Sequence, residues 1–169
     1  MILRYSAKSE DMKKIYLFPL IFIFAVNFYA QEFRQKINAA VENRDYLTAV
    51  AELRNLEKSD KTLFTSNNYD YLLARMAEKR GDMATAMAKY QAVVKRNSVL
   101  SEYALWHLSQ VARSSGNLNS ERNFLRQLLA FAPNSLLKNA ANARLARSFF
   151  ESKDYNSAIQ LLNNSITVQ

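Results

Sequence analysis

Small and apolar residues recur along this chain at fixed distances from four polar residues. Asp45, Asp82, Asn117 and Asp154 stand 37, 35 and 37 residues apart. Nine positions before them lie Lys36, Leu73, Leu108 and Leu145, and eight before lie Ile37, Ala74, Ser109 and Ala146. Four positions after them lie Ala49, Ala86, Glu121 and Ala158. Eight after come Leu53, Tyr90, Leu125 and Leu162, and eleven after come Leu56, Val93, Leu128 and Ser165. Small residues on both sides of a turn let two antiparallel helices approach closely, and large apolar ones fill the space between successive pairs. Lys36, Glu121 and Ser165 break the pattern. The spacing predicts helices over 32–43, 47–58, 68–79, 83–96, 101–114, 120–131, 136–151 and 155–165. The connector SDKTLFTSNN is the longest break between them, with Asn67 expected to cap the helix that follows. No strand pattern emerges.

The chain has two glycines, Gly81 and Gly116, and each directly precedes a turn residue. A glycine at that point takes the left-handed backbone that ends a helix, and the next polar side chain caps the following one. Arg44 and Lys153 fill the same slot in the first and last units. There the sequence predicts either a different turn or a small strain. Repetition of this helix–turn–helix unit predicts an all-α right-handed solenoid of about four units. The last unit, cut off soon after its second helix begins, has no following partner. Its Ile159, Leu161, Leu162 and Ile166 are expected to face an unfilled side.

Composition narrows the chemistry. No cysteine is present, which excludes disulfides, thiol catalysis and cysteine-based zinc sites. A single histidine, His107, argues against a metal site or a Ser-His-Asp triad. Two isolated glycines cannot build a phosphate loop. The repeated Asp45, Asp82 and Asp154 are explained by N-capping rather than catalysis. The reading is therefore of a chain with no catalytic residues, metal or cofactor.

The N-terminal thirty residues are of another kind. MKKIYLFPLIFIFAVNFYAQ offers a start-like Met12, two lysines and an apolar run from Ile15 to Val26. That run is short for a membrane span, which needs about 20 residues, but suits a signal-peptide core. The expectation is a signal peptide over 1–30, with cleavage after Ala30, and a helical-repeat domain over 31–169. Bulky Phe28 sits where a signal peptidase prefers a small residue, and an uncleaved anchor is the alternative. Either way the repeats are expected outside the cytoplasm, in the periplasm or cell envelope.

Charge is uneven. Residues 31–82 hold nine basic and nine acidic side chains, whereas 83–169 hold ten basic and four acidic. The basic residues are dispersed rather than gathered in a stripe, which with export argues against nucleic acid. A solvated surface is one reading, and attraction to an anionic envelope partner is the other. In a stack of helix pairs the first helix of each pair lines the concave side. Eleven, seven and four positions before the turns lie Tyr71 and Trp106, Arg75, Gln110 and Arg147, and Arg113. These form the candidate binding groove, since aromatic and arginine side chains dominate binding energy. Packing of Tyr71 and Trp106 against neighbouring helices is the competing reading. Alanine at Arg113 or Arg147 is expected to leave folding almost unchanged.

The segment YDYLLARMAEKRGDMATAMAKYQAVVKR, with Pro133 sixteen residues after the third turn, resembles the tetratricopeptide repeat, a helix–turn–helix unit of about 34 residues. The resemblance covers Phe33 to Asn164 and implies a protein or peptide partner. The run from Leu72 to Asn117, with its YALWHLSQVA stretch, is also similar to the helical N-terminal region of soluble lytic murein transglycosylases. That resemblance implies the alternative reading, an N-terminal superhelical fragment of such a peptidoglycan-cleaving enzyme, truncated or split from its catalytic domain, with peptidoglycan as the partner. The lysozyme-like domain and catalytic glutamate of that family have no counterpart here.

Overall fold

The computed structural model describes residues 32–166, and among these there are helices and no strand. The expected signal peptide, its Met12 start and the Ala30 cleavage point lie outside the described residues, as does the side chain of Ile166. The helices are α1 (32–42), α2 (Tyr46–Ser59), α3 (Lys61–Ser66), α4 (Tyr69–Lys79), α5 (Met83–Lys95), α6 (Ser101–Ser114), α7 (Leu118–Phe131), α8 (Lys138–Glu151) and α9 (Tyr155–Ile166). None of the described helices is long and apolar enough to cross a membrane.

The chain divides into two compact units, 1–52 and 53–169, with the boundary inside α2. In the first unit, Phe33, Ile37 and Ala40 of α1 and Ala49 and Val50 of α2 are buried. Lys36, the exception in its column, stays exposed and pairs with Glu32 one turn earlier at 2.9 Å.

In the second unit α4 packs on α5, α6 on α7 and α8 on α9, while α5 meets α6 and α7 meets α8. The columns read from the sequence form its core. Ala74, Ala86, Tyr90, Val93, Leu108, Leu125, Leu128 and Leu145 fall in one buried cluster.

All four repeat turns share one construction. Arg44, Gly81, Gly116 and Lys153 have φ of 56°, 81°, 74° and 64°, so the two non-glycine residues adopt the same left-handed conformation as the glycines. The alternative of a different turn is excluded. In each turn the N–H of the turn residue donates to the carbonyl five positions back: Asp45 to Ala40 at 2.8 Å, and Asp82 to Ala77, Asn117 to Ala112 and Asp154 to Phe149, each at 2.9 Å. This is the Schellman closure, and it satisfies carbonyls that a helix end leaves free. The turn side chain then accepts the N–H three residues on: Thr48, Thr85, Ser120 and Ser157, at 3.1, 3.1, 2.9 and 3.2 Å. Hydrogen bonds from the side chains of Thr48, Thr85 and Ser157, and after them those from their backbone N–H groups, lower the pKa of Asp45, Asp82 and Asp154.

Three local expectations are corrected. The connector contains α3, a helix capped by Asp60 accepting from Leu63 N–H at 2.8 Å and anchored by buried Phe64. Six residues rich in Thr and Ser carry no helical periodicity, so the Asp60 cap and the burial of Phe64 hold them. Asn67 does not cap α4: it ends α3, and its amide donates to the Leu63 carbonyl at 3.0 Å. The residue before α4 is Asn68, in left-handed backbone. Finally, α8 begins at Lys138 rather than Leu136, which is 97% exposed in the turns after Pro133.

Candidate interaction surface on the first helices

Tyr90 shows how an apolar column creates a polar site. It occupies the slot held by Leu53 and Leu125 elsewhere and is fully buried. A buried phenol needs a partner. Its hydroxyl donates to Glu78 Oε2 at 2.5 Å. Arg75, one helical turn before Glu78, donates to the same oxygen at 3.0 Å. The His107 ring of α6 stacks on Tyr90 with centroids 5.2 Å apart and planes 9° apart. Its Nδ1 lies 2.9 Å from Arg75 Nη1 and 3.3 Å from Glu78 Oε2, so the ring's tautomer sets which of the two it bonds. Tyr71 packs edge-on to both rings, at 5.7 Å from Tyr90 and 6.2 Å from His107. Burial pushes the Glu78 carboxyl up, but His107, Tyr90 and Arg75 outweigh it and hold the group at about 2. Burial raises both the Tyr71 and the Tyr90 phenols.

A second network links α6, α7 and α8. Glu121, which interrupts the column of small residues, is fully buried. It is paired with Arg144 at 2.9 Å and Arg113 at 3.3 Å. Arg113 also donates to Glu151 at 2.6 Å, and Arg147 reaches the same Glu151 oxygen at 2.8 Å. These two arginines hold the Glu151 carboxyl below its usual range, and Glu151 in turn raises the pKa of Arg113. The Arg144 guanidinium lies over the Trp106 ring at 4.7 Å.

The groove residues expected from the sequence thus fall on successive first helices tied by side-chain contacts: Arg75 to His107, Trp106 to Arg144, Arg113 to Glu151. Tyr71 and Trp106 are half-buried against the core cluster, so packing claims part of each ring. Gln110 is half-buried on α6. Arg147 is open, with its side chain 70% exposed. The expectation that Arg113 is dispensable for folding is corrected, because its guanidinium pairs with a buried carboxylate. Arg75 and Arg113 are already paired with Glu78 and Glu121, whereas Arg147 meets Glu151 through its Nε alone. Sequence reasoning missed Glu78, Tyr90, Arg144 and Glu151 as parts of these networks. For Glu121 a signal existed: an acidic residue in a column of alanines demands a cationic partner.

Among the described residues no group of three or more His, Cys, Asp or Glu side chains is arranged to hold a metal ion. At the far end of the second unit, α8 and α9 border an open apolar groove of about 640 Å³. Ile159 and Leu162 face it, 56% and 50% exposed, as the sequence predicts for an unfilled side. Leu161 instead packs against the core, which corrects that part of the expectation.

Comparison with known proteins finds a family model, the tetratricopeptide repeat, matching residues 70–98. No curated protein matches the chain. The resemblance to lytic transglycosylases gains no support from these comparisons. The match spans α4, the Gly81–Asp82 turn and α5, the unit whose construction the other turns repeat, so the all-α fold of this chain is a tetratricopeptide-like helical repeat.

Proposed function

We propose that this protein is a binding scaffold of the cell envelope, exported by its N-terminal segment, which recognises a protein or peptide along α4, α6 and α8 and performs no chemistry of its own. The observation that carries the reading is the tetratricopeptide match at 70–98, since such repeats generally mediate protein–protein interactions. The half-buried Tyr71 and Trp106 supply aromatic area beside Gln110 and the open Arg147. Export draws its support from the basic and apolar run over 12–30. Peptidoglycan, with its anionic stem peptides, is the other envelope ligand that the basic second half suits.

The test has two readouts. Alkaline phosphatase fused after Gln169 is active only if the chain reaches an oxidising compartment. Deletion of 12–30 abolishes that activity under the proposal, and unchanged activity removes the export claim. Full-length protein immobilised on resin then meets solubilised envelope proteins and, separately, purified sacculi. A protein retained by the wild type and lost with Arg147→Glu supports the scaffold. Retention of sacculi alone replaces the protein partner with the polymer, and retention of neither refutes binding at this surface.

A further inference from the structure

Among the described residues, one kind of face is covered twice and its third instance is left open. In the pair α4/α5, Tyr71, Glu78 and Tyr90 are met by His107 of α6. In the pair α6/α7, Trp106, Arg113 and Glu121 are met by Arg144 and Glu151 of α8. Moving 37 residues on from Trp106, Arg113 and Glu121 reaches Ala143, Phe150 and Ala158, and these three line the open groove of α8/α9. Around them Phe150, Tyr155, Ile159 and Leu162 are 61%, 50%, 56% and 50% exposed. Exposed apolar side chains gathered on one face mark an interaction site.

We propose that this groove seats an amphipathic helix of a partner protein, placed as α6 and α8 are placed on the pairs before it. The groove continues a series of interfaces already present in the fold, and each earlier member is filled by one helix. Its shape argues against a second copy, since two such faces meeting would set hollow against hollow. The covering helices also specify the chemistry. Both bury a small residue and, four positions later, a leucine: Ala104 and Leu108 on α6, Ala141 and Leu145 on α8. One feature must differ. On α8, Arg144 is received by Glu121, but at the end groove that slot holds Ala158, whose methyl side chain accepts no hydrogen bond. The incoming helix therefore carries an apolar residue where α8 carries Arg144. The proposal goes beyond binding along α4, α6 and α8 and stands or falls separately from it.

The absence of cysteine makes a direct test possible. Ile159→Cys in the full-length chain gives a single thiol in the groove, and Val99→Cys, at a site 82% exposed, gives a control. The probe is a synthetic peptide of residues 136–152 with Arg144→Leu. Under the proposal both thiols react freely with N-ethylmaleimide, and saturating peptide slows Ile159→Cys by at least about tenfold while leaving the control unchanged. Adding Phe150→Asp removes the protection with helix content retained, and the peptide that keeps Arg144 protects only at much higher concentration. Absence of peptide protection overturns the proposal. Protection without peptide that grows with protein concentration overturns it in favour of a second copy. Protection without peptide at every concentration overturns it in favour of cover by the chain's own residues.

Discussion

Glu121 offers the sharpest test of how this fold tolerates a charge in its interior. Its carboxylate is fully buried, with Arg144 Nη2 at 2.9 Å and Arg113 Nη1 at 3.3 Å. The two arginines are 19% and 27% exposed at the side chain, so each can turn to water if its partner is lost. Glu121 cannot. The consequences of truncation are therefore unequal. Glu121→Ala places in this column the residue that the other repeats hold at Ala49, Ala86 and Ala158. It frees two cations that reach solvent, one of which keeps Glu151, and costs about 1 kcal/mol or less. Arg144→Ala removes the closer partner and the cation over Trp106, and costs about 2 kcal/mol. Arg113→Ala, the more distant partner, costs less than that. The double variant Arg113→Ala/Arg144→Ala leaves a bare buried carboxylate and costs about 3–5 kcal/mol. Adding Glu121→Ala to the double variant then restores about 2 kcal/mol or more, which gives the cycle a large coupling energy. Equilibrium urea unfolding at neutral pH measures each step, with constant m-values as the check that only stability has changed. If the double variant is no less stable than Glu121→Ala alone, the carboxylate is not held by these arginines and the reasoning fails.

Other consequences can be checked in the same way. Gly116 has φ of +74° with open space where a side chain would point, so Gly116→Ala costs only the left-handed backbone, about 1 kcal/mol, in urea unfolding. Lys153→Gly, at φ of 64°, shifts stability the other way by up to about 1 kcal/mol. Trp106→Ala costs about 2–3 kcal/mol, or roughly 8 °C in a thermal melt, because the half-buried ring packs on the core beneath Arg144. A melt within about 2 °C of wild type would return that ring to the binding surface alone. Acid should act through Glu78. Its folded pKa of about 2 lies below the ordinary 4.5, so its contribution is complete above pH 4.5 and is lost as pH falls towards 2. That contribution is at most about 3 kcal/mol, and Glu78→Gln should flatten the loss of stability over this window by a comparable amount.

The sequence by itself determined the repeat, its turns and the main core columns, because those features are local or periodic. A glycine before an aspartate, a small residue eight before and four after it, and a leucine at the next slot each act within one helix–turn–helix unit. Asp82 caps α5 and Leu73 is buried for reasons legible within about ten residues of the turn. Arg44 and Lys153 show the limit of this reading. Their slot was visible, but only the chain on both sides of it forces a non-glycine residue into left-handed backbone. The tertiary structure decided what depends on residues distant in sequence. Arg113 looked free because its partners are 8 and 38 residues away, and Tyr90 looked apolar because Glu78 approaches from another helix. The short α3 exists because Phe64 finds a buried place, which no periodicity announces. The candidate site was legible as a set of columns on the first helices. The salt bridges that engage those columns were not, since pairing across helices depends on the rotation of one pair against the next rather than on spacing along the chain.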